Sequence, residues 1–226
     1  MKTRYERNLY ALSEDEQKML SRKRICIVGC GGLGGYILEY FLRIGIGHIT
    51  IIDGDCFEES NLNRQLLSDE NSIHSSKIQI AKKHADSVNS EVTVHAVDSF
   101  LTEDNSEELL KGHDLVLDAV DSLSVRRLMG RQCAGLGIPL VYGAIQGWYA
   151  QISLIMPEDH HILSLLCGHE TEPADKSALS FTPAACAAFQ VSEAVKYLCG
   201  RENTLSGKIL YVDLLHMETE LVHINP

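Results

Sequence analysis

The stretch Arg24-Ile-Cys-Ile-Val-Gly-Cys-Gly-Gly-Leu-Gly34 decides the fold class of this chain. Its first part predicts a short buried strand, and the glycines that follow at once match the pattern G-x-G-x-x-G. The next segment, residues 33–44, has apolar side chains at helical spacing and stops at Gly45, a residue type that commonly ends a helix. A strand, a glycine turn and a helix in this order predict a βαβ unit that binds a phosphate-containing ligand.

The glycine turn and the next strand supply the first candidate binding residues, Gly29, Gly31, Gly32, Gly34 and Asp53. The first glycine permits a tight turn, the next lets a phosphate approach the backbone, and the last lets the helix pack on the strand. The helix N-terminus then offers unpaired N–H groups to an anion. Asp53 ends the following predicted strand, where its carboxylate can accept hydrogen bonds from both ribose hydroxyls. The motif alone does not specify the nucleotide, and by itself it favours NAD.

Strands and helices alternate along the first two thirds of the chain, which predicts βαβ units and a parallel sheet. After Gly147 the pattern changes to a strand, an irregular stretch, a long helix beginning at Thr182-Pro183 and two final strands. We therefore predict a Rossmann-like doubly wound α/β fold, with a mainly parallel sheet and C-terminal antiparallel strands. Besides the opening unit, the predicted strands are 49–52, 92–97, 115–117, 139–142, 151–156, 208–215 and 218–224, and the predicted helices are 75–88, 104–111, 123–136 and 183–199.

Length and composition predict a single domain over residues 1–226, with an N-terminal helical arm at 1–23 and a crossover-type loop at 157–181. The net charge of −11 argues against binding to nucleic acid or to an anionic membrane. No apolar run has the length of a signal peptide or a membrane span. The seven cysteines are scattered without a framework, as in reduced proteins, so we expect a cytoplasmic location.

A dense polar cluster follows Asp53 and changes the favoured ligand. A dehydrogenase has no chemical need for such a cluster, whereas a site that transfers a phosphoryl or nucleotidyl group does. Arg64 can hold phosphate oxygens in a fork, and Lys77 can add a point charge to the same phosphates. The candidate binding residues of this cluster are Asp55, Asn61, Asn63, Arg64, Gln65 and Lys77.

Asp121 is the candidate metal ligand and catalytic carboxylate. It follows the fourth strand in the stretch Asp118-Ala-Val-Asp-Ser122, at the sheet edge where ligands of parallel sheets bind. Mg²⁺ prefers one or two carboxylates together with phosphate oxygens, so a carboxylate facing a triphosphate suits it. The alternative is that Asp121 only caps the next helix.

These residues resemble the ThiF/MoeB/HesA group, bacterial relatives of the ubiquitin-activating enzymes, from about Arg4 to Gly200. The most specific part of the match is the Ser-Asn-Leu-x-Arg-Gln string that follows the Rossmann aspartate. The matching stretches are Arg4–Arg7, Gly29–Gly35, Ile52–Asp55, Ser60–Gln65, Lys77, Asp118–Asp121, Arg126, Pro139–Val141 and Gly143.

The resemblance implies ATP and Mg²⁺ as cofactors and Asp121 as the magnesium ligand. It implies that Arg7 is an arginine finger reaching the neighbouring subunit's site, and hence a homodimer. Mg²⁺, Arg64, Lys77 and Arg7 would then carry catalysis by positioning and by neutralising phosphate charge, with Asp121 as the catalytic carboxylate that holds the ion. At ATP itself, the resemblance places Asp53 at the ribose, Asn63, Arg64 and Lys77 at the phosphates, and Gln65 beside them.

The implied reaction is attack by the C-terminal carboxylate of a small ubiquitin-like sulfur carrier, similar to ThiS or MoaD and ending in Gly-Gly, on the α-phosphorus of ATP. Pyrophosphate leaves and an acyl-adenylate forms. The pathway stays open among thiamine, molybdopterin, cysteine and a peptide natural product, and so does any later sulfur transfer.

The chain departs from the family in its cysteines. Many members hold a structural zinc with two Cys-x-x-Cys pairs, and this chain has none, so we expect no zinc; a Cys167/His169 metal site is conceivable but lacks further ligands. Some members carry a nucleophilic cysteine before the late helix, where alignment places Asp175, and Cys186 is interpreted as a buried core thiol. A covalent cysteine step is therefore not expected. In the helix after Asp121, Gly130 takes the place of a usual asparagine.

Three alternatives remain. A tRNA-modifying dehydratase of the same family would need RNA binding, which the charge opposes, and the stretch Gly143–Gly147 followed by Gln151 is closer to the carrier-activating branch. An NAD-dependent oxidoreductase gives no role to residues 61–65 or to Arg7. A non-catalytic relative that only binds nucleotide or partner is the third.

Overall fold

The computed structural model describes residues 3–159, 161–168 and 177–224. The strands are β1 (Arg24–Val28), β2 (His48–Asp53), β3 (Thr93–Asp98), β4 (Leu115–Asp118), β5 (Leu140–Gln146), β6 (Tyr149–Ile155), β7 (Lys208–Asp213) and β8 (Glu218–His223). The α-helices are α1 (Glu14–Leu20), α2 (Gly32–Ile44), α3 (Lys77–Val88), α4 (Ser106–Leu110), α5 (Leu123–Leu136), α6 (His161–Cys167) and α7 (Phe181–Leu198), and the 3₁₀ helices are Thr3–Asn8, Glu59–Asn61 and Pro157–Asp159.

All eight strands form one sheet in the order β3-β2-β1-β4-β5-β6-β7-β8. The five strands from β3 to β5 pair in parallel. The remaining strands pair antiparallel, beginning with the β5–β6 hairpin. The predicted α/β fold, a mainly parallel sheet with C-terminal antiparallel strands, is confirmed.

The apolar strands are buried on both faces because helices cover both sides of the sheet. In β1, Ile25 and Ile27 join a core with residues of α2, α3 and α7. The alternate residues Cys26 and Val28 join a second core with residues of α4, α5 and α6. This two-sided burial explains why the strands read as continuous apolar runs instead of alternating ones.

The predicted N-terminal helix is confirmed as α1. Ser13 and Glu16 form a capping box in which each side chain accepts a hydrogen bond from the other residue's backbone N–H. Ahead of α1, Tyr5 is buried against Gly45, where an added Cβ would lie 2.4 Å from the Tyr5 ring. The N-terminal arm is thus packed against the end of α2.

The predicted loop at 157–181 is wrong in part, because α6 and a 3₁₀ helix occupy its first half. Ile162 and Leu163 of α6 pack into the second core. Gly130 makes this possible, since a Cβ there would lie 2.0 Å from Leu163 Cδ2. The sequence did not predict α6, because its packing depends on a glycine in a different helix, α5. Positions 160 and 169–176 of this stretch, which include His169 and Asp175, lie outside the described residues.

Two boundaries also differ from prediction. Thr182 does not cap α7, since the helix begins at Phe181 and the Thr182 hydroxyl donates to the Gly147 carbonyl at 2.8 Å. β5 continues to Gln146 instead of ending near residue 142. The glycine at 143 permits this, because an added Cβ there would lie 2.3 Å from the Gln190 side chain.

Candidate active site

A cavity of about 850 Å³ opens at the carboxyl ends of the parallel strands and extends over β6, β7 and β8. Ligands of open α/β sheets bind at this edge, outside the strand ends. The candidate binding residues that line it are Gly29, Gly31, Gly32, Asp53, Asp55, Arg64, Gln65, Lys77 and Asp121. The structure therefore brings together most of the residues that sequence reasoning selected.

The glycine turn is shaped by close backbone approach. Gly29 has a φ of +99°, and a Cβ there would lie 2.4 Å from the Ala119 carbonyl oxygen. A Cβ on Gly34 would lie 2.0 Å from the Gly29 carbonyl oxygen, so this glycine serves the packing of the turn and does not line the cavity. No side chain caps the start of α2, which leaves its first N–H groups available to an anion.

Asp53 ends β2 and lies against the glycine turn. One carboxylate oxygen accepts a hydrogen bond from the Cys30 N–H at 2.6 Å, and the other accepts from the Asp55 N–H at 2.8 Å. Each oxygen retains a further lone pair for a ligand hydroxyl. The carboxylate is therefore oriented by the backbone while still facing the cavity.

Two cations reach the same cavity from the segment after β2. Lys77 begins α3 and is only 7% exposed, and its Nζ lies 3.1 Å from Asp55 Oδ2. The Nη1 of Arg64 donates to the Ser60 carbonyl and to Asn63 Oδ1, both at 2.9 Å. Both side chains line the cavity and are held by protein contacts, so binding of an anion by them would cost little side-chain entropy.

The three polar residues predicted to bind ATP near these cations differ in whether they line the cavity. Asn61 Oδ1 accepts from the Glu58 N–H at 3.1 Å, and Asn63 Nδ2 donates to the Ala178 carbonyl at 3.1 Å. Neither asparagine lines the cavity, so both hold the loop in place. Gln65 does line it, is 7% exposed, and its Oε1 is buried without a hydrogen-bond partner among the described residues.

Asp121 lies in the turn between β4 and α5, exposed and at the cavity wall. The N-cap of α5 is Ser122, whose hydroxyl accepts from the Val125 N–H at 3.5 Å. The alternative interpretation of Asp121 as a helix cap is therefore wrong. Asp121 instead lines the cavity together with the glycine turn and residues of the antiparallel strands.

Arg7 is not brought to this cavity within the chain. It lies exposed on the 3₁₀ helix Thr3–Asn8, which is fixed to the protein by Tyr5. The Tyr5 hydroxyl accepts from Asn89 Nδ2 at 2.9 Å. A role for Arg7 at a nucleotide would have to involve the site of another subunit.

Comparison with known proteins identifies the family. The family model described as "ThiF family" matches residues 5–226. The chain belongs to the ThiF family. An enzyme of Haloferax volcanii named SAMP-activating enzyme E1 is 30% identical over 97% of this chain and 84% of its own length. A sulfur carrier protein adenylyltransferase of Thermus thermophilus is 31% identical over 94% of this chain and 83% of its own.

Further comparisons agree with this placement. The molybdopterin-synthase adenylyltransferase of Escherichia coli is 30% identical over 94% of this chain and 88% of its own length. Among solved structures, E. coli MccB with ATP superposes with a TM-score of 0.84 at 20% identity, covering 100% of this chain and 72% of that one. The structural likeness supports the fold of this ThiF-family chain.

A buried polar network underlies the site and was not assigned a role from sequence. Asp118 is fully buried, and its Oδ2 lies 2.6 Å from Arg126 Nε. Burial raises the pKa of the Asp118 carboxyl, and the Arg126 guanidinium opposes this shift. Gln190 of α7 donates from Nε2 to the Asp118 carbonyl at 2.8 Å. Buried polar contacts between distant residues leave no local sequence pattern, so only the resemblance drew attention to this pair.

Phe100 was missed as a candidate. It lies just after β3, is 59% exposed, and lines the cavity beside the Asp53 end of β2. An added Cβ on Gly54 would lie 2.9 Å from Phe100 Cδ2, so the ring packs against that backbone. A large aromatic residue at the end of a predicted strand was the only available signal.

The cysteines of this ThiF-family chain are free thiols, and five are buried. Cys186 is fully buried in the first core, which confirms its interpretation as a core thiol, and this burial raises its pKa. Cys167 lines the cavity, and burial raises its pKa also. Within the described ranges, no three histidine, cysteine or acidic side chains cluster as metal ligands. The expected lack of zinc stays a prediction, because His169 lies outside those ranges.

Among the described residues, no helix has both the length and the apolar character that crossing a bilayer demands.

Proposed function

We propose that this ThiF-family protein is an ATP-dependent adenylyltransferase that activates the C-terminal carboxylate of a small ubiquitin-like sulfur carrier. The carboxylate oxygen bonds to the α-phosphorus of ATP, the bond from that phosphorus to the bridging oxygen breaks, and pyrophosphate leaves. The product is an acyl-adenylate. The relatives named as adenylyltransferases support this reaction class.

One observation carries the proposal: Asp53, Arg64, Lys77 and Asp121 line one cavity together with the glycine turn. A ribose at Asp53 would direct its phosphates toward the N-terminus of α2 and the two cations. The fixed guanidinium and ammonium groups then neutralise charge that develops on the leaving pyrophosphate, without reorganisation at the moment of reaction. The attacking carboxylate is already ionised at neutral pH, so no general base is needed.

Asp121 fits a magnesium ion bound with the phosphates, since it is an exposed carboxylate at the cavity wall rather than a helix cap. Mg²⁺ bound there would withdraw charge from the phosphate oxygens. No cluster of three protein ligands is required, because Mg²⁺ commonly keeps water and phosphate oxygens as ligands.

The carrier would approach through the part of the cavity that extends over β6–β8. Tyr149, Gln151 and Tyr211 line this part, next to the small residues Ala144 and Ala150. A narrow tail ending in Gly-Gly fits between such walls. The names of two relatives, which refer to SAMP activation and to a sulfur carrier protein, support this partner class.

Assembly and location belong to the same proposal. A homodimer would bring Arg7 of one subunit toward the cavity of the other, which explains why the residue lies outside its own cavity. The seven free thiols suit a reducing compartment, and we infer a cytoplasmic location from them.

The proposal is tested by the exchange of labelled pyrophosphate into ATP, with and without a purified β-grasp carrier that ends in Gly-Gly. We expect exchange that depends on the carrier and stops when its last glycine is removed. Exchange that depends on tRNA instead would favour the dehydratase alternative. Tight NAD binding without ATP binding would favour the oxidoreductase, and ATP binding without any exchange would leave a non-catalytic relative.

A further inference from the structure

Resting on the proposed function, we propose that the buried pair Asp118–Arg126 is a positioning device for Asp121. The pair holds both polar backbone groups of Val120, the residue immediately before Asp121. Asp118 Oδ1 accepts from the Val120 N–H at 3.2 Å, and Arg126 Nη2 donates to the Val120 carbonyl at 2.7 Å. The peptide that leads into Asp121 is therefore fixed from two sides.

The pair is itself anchored. Arg126 Nε donates to Asp118 Oδ2 at 2.6 Å, and the two side chains are 7% and 0% exposed. Arg126 Nη2 also donates to the Gly143 carbonyl at 3.2 Å, and the guanidinium lies 5.1 Å from the centroid of the Tyr142 ring. The guanidinium of Arg126, on α5, thus contacts β4, β5 and the turn that contains Val120. These contacts hold the turn against the sheet.

The anchoring matters because Asp121 lies at the cavity wall, immediately after the fixed peptide. The backbone sets the position and direction of its Cα–Cβ bond, and this bond limits where the carboxylate can lie in the cavity. A planar guanidinium can serve Asp118 and the Val120 carbonyl at once from a rigid fork, whereas an ammonium is a point charge on a flexible stem. Arginine at 126 is therefore required for geometry as well as for charge.

Arg126 also lines the cavity, so a direct contact with substrate is the competing role. The Nε and Nη2 hydrogens are already used by Asp118, Val120 and Gly143. A positioning role acts only through Asp121, while a direct contact acts whether or not Asp121 is present. The two roles can be separated by combining substitutions.

The first experiment compares Arg126→Lys with Arg131→Lys in pyrophosphate exchange. Arg131 lies on the same helix and pairs with Glu103 at 2.5 Å, but it is exposed and outside the cavity lining. We expect Arg126→Lys to lower kcat by about 10- to 100-fold with little change in the KM for ATP, and Arg131→Lys to leave both unchanged. Equal, small effects of the two substitutions would overturn the inference.

The second experiment adds each lysine substitution to Asp121→Ala. If Arg126 acts through Asp121, Arg126→Lys should cause no further loss in that background. A loss that persists at full size there, or a rise in the KM for the carrier, would assign Arg126 a direct substrate contact instead. The double variant Asp118→Leu/Arg126→Met replaces the buried pair with apolar side chains, so it tests the same claim if single variants fold poorly.

A third measurement does not depend on activity. Amide hydrogen exchange over residues 118–123 should be at least several-fold faster in Arg126→Lys than in the wild type, with β2 unchanged. Unaltered protection at 118–123 would overturn the positioning claim. If wild-type protein showed no pyrophosphate exchange with any carrier, the proposed function would fail, and the hydrogen-exchange result would still decide whether the pair orders the turn.

Discussion

The inner parallel strands β1 and β4 and the last antiparallel strand, β8, differ sharply in burial. In β1 four of five residues are buried, and in β4 all four are. In β8 all six residues are exposed, although Glu218 and Glu220 line the cavity. The inner parallel strands are packed between two cores, while β8 at the end of the extension offers an accessible surface on one side of the same cavity.

This difference suggests a division of labour under the proposed function. The glycine turn, Asp53 and Lys77 follow the inner parallel strands, which would hold the nucleotide and the reacting phosphorus in place. Tyr149 and Tyr211 belong to the extension, where a second macromolecule can approach. Substitutions in the first half should change the chemistry or the KM for ATP, and those in the second should change the KM for the carrier.

The largest effect is expected at Asp121. Asp121→Ala should lower kcat for pyrophosphate exchange by about 10²- to 10³-fold, because it removes the carboxylate proposed to hold Mg²⁺ at the reacting phosphates. Thermal unfolding should be nearly unchanged, since the side chain is exposed and does not cap α5. An unchanged rate of pyrophosphate exchange would show that Asp121 is not catalytic and would contradict the assignment of the chemistry to this part of the cavity.

The next largest effect separates two glycines of the same turn. Gly34→Ala should destabilise the protein by about 1–3 kcal/mol and abolish measurable ATP binding, because the new Cβ would lie 2.0 Å from the Gly29 carbonyl oxygen. Gly31→Ala is the matched comparison, since its Cβ would meet Gln65 Nε2 at an ordinary 3.5 Å. Chemical denaturation and ATP titration measure both changes. Equal destabilisation by the two variants would show that the close approach of Gly34 to the Gly29 carbonyl does not determine the shape of the turn.

A reciprocal pair of aromatic truncations tests the two halves directly. Phe100→Ala should raise the KM for ATP by about 10-fold through loss of stacking on the base, and leave the KM for the carrier unchanged. Tyr149→Ala should raise the KM for the carrier by about 10-fold and leave the KM for ATP unchanged. Phe189→Ala is the control, as Phe189 is exposed but outside the cavity lining. The opposite result, with Phe100→Ala raising the KM for the carrier and Tyr149→Ala raising the KM for ATP, would contradict the assignment of ATP to the parallel strands and of the carrier to the extension.

The smallest effect concerns a contact remote from both halves of the site. Hydrogen bonds from Arg201, at 2.6 Å, and from the Ser13 backbone lower the pKa of Glu16 to about 2. A carboxyl whose folded pKa lies below its unfolded value of about 4.5 adds stability above pH 4.5 and loses it as the pH falls toward 2.

Glu16→Gln should therefore flatten the stability profile between about pH 4.5 and 2, and slightly lower stability at pH 7, in denaturant titrations at each pH. Exchange kinetics should match the wild type. A change in either KM would mean that the N-terminal arm communicates with the cavity.

The order of strands and helices in the parallel half could be predicted because its signals are local. The glycine turn, the carboxylate at the end of β2 and the cations after it follow from strand ends that share one edge of a sheet. Sequence thus selected nine of the residues that line the cavity, among them Arg64 and Asp121.

The missed features depend on tertiary contacts that no local pattern reveals. Helix α6 packs closely on α5 because Gly130 leaves room for Leu163, more than thirty positions away along the chain. Thr182 has the composition of a helix cap, yet its hydroxyl serves the β5–β6 turn. The Asp118–Arg126 pair is polar and buried, which periodicity cannot reveal because polar residues are expected at the surface.

The most direct test of the account is a crystal structure of the protein with a non-hydrolysable ATP analogue and Mg²⁺. We expect the ribose at Asp53, the phosphates at Arg64, Lys77 and the start of α2, and the α-phosphate next to Asp121. A nucleotide bound elsewhere, or one whose phosphates point away from the two cations, would contradict it.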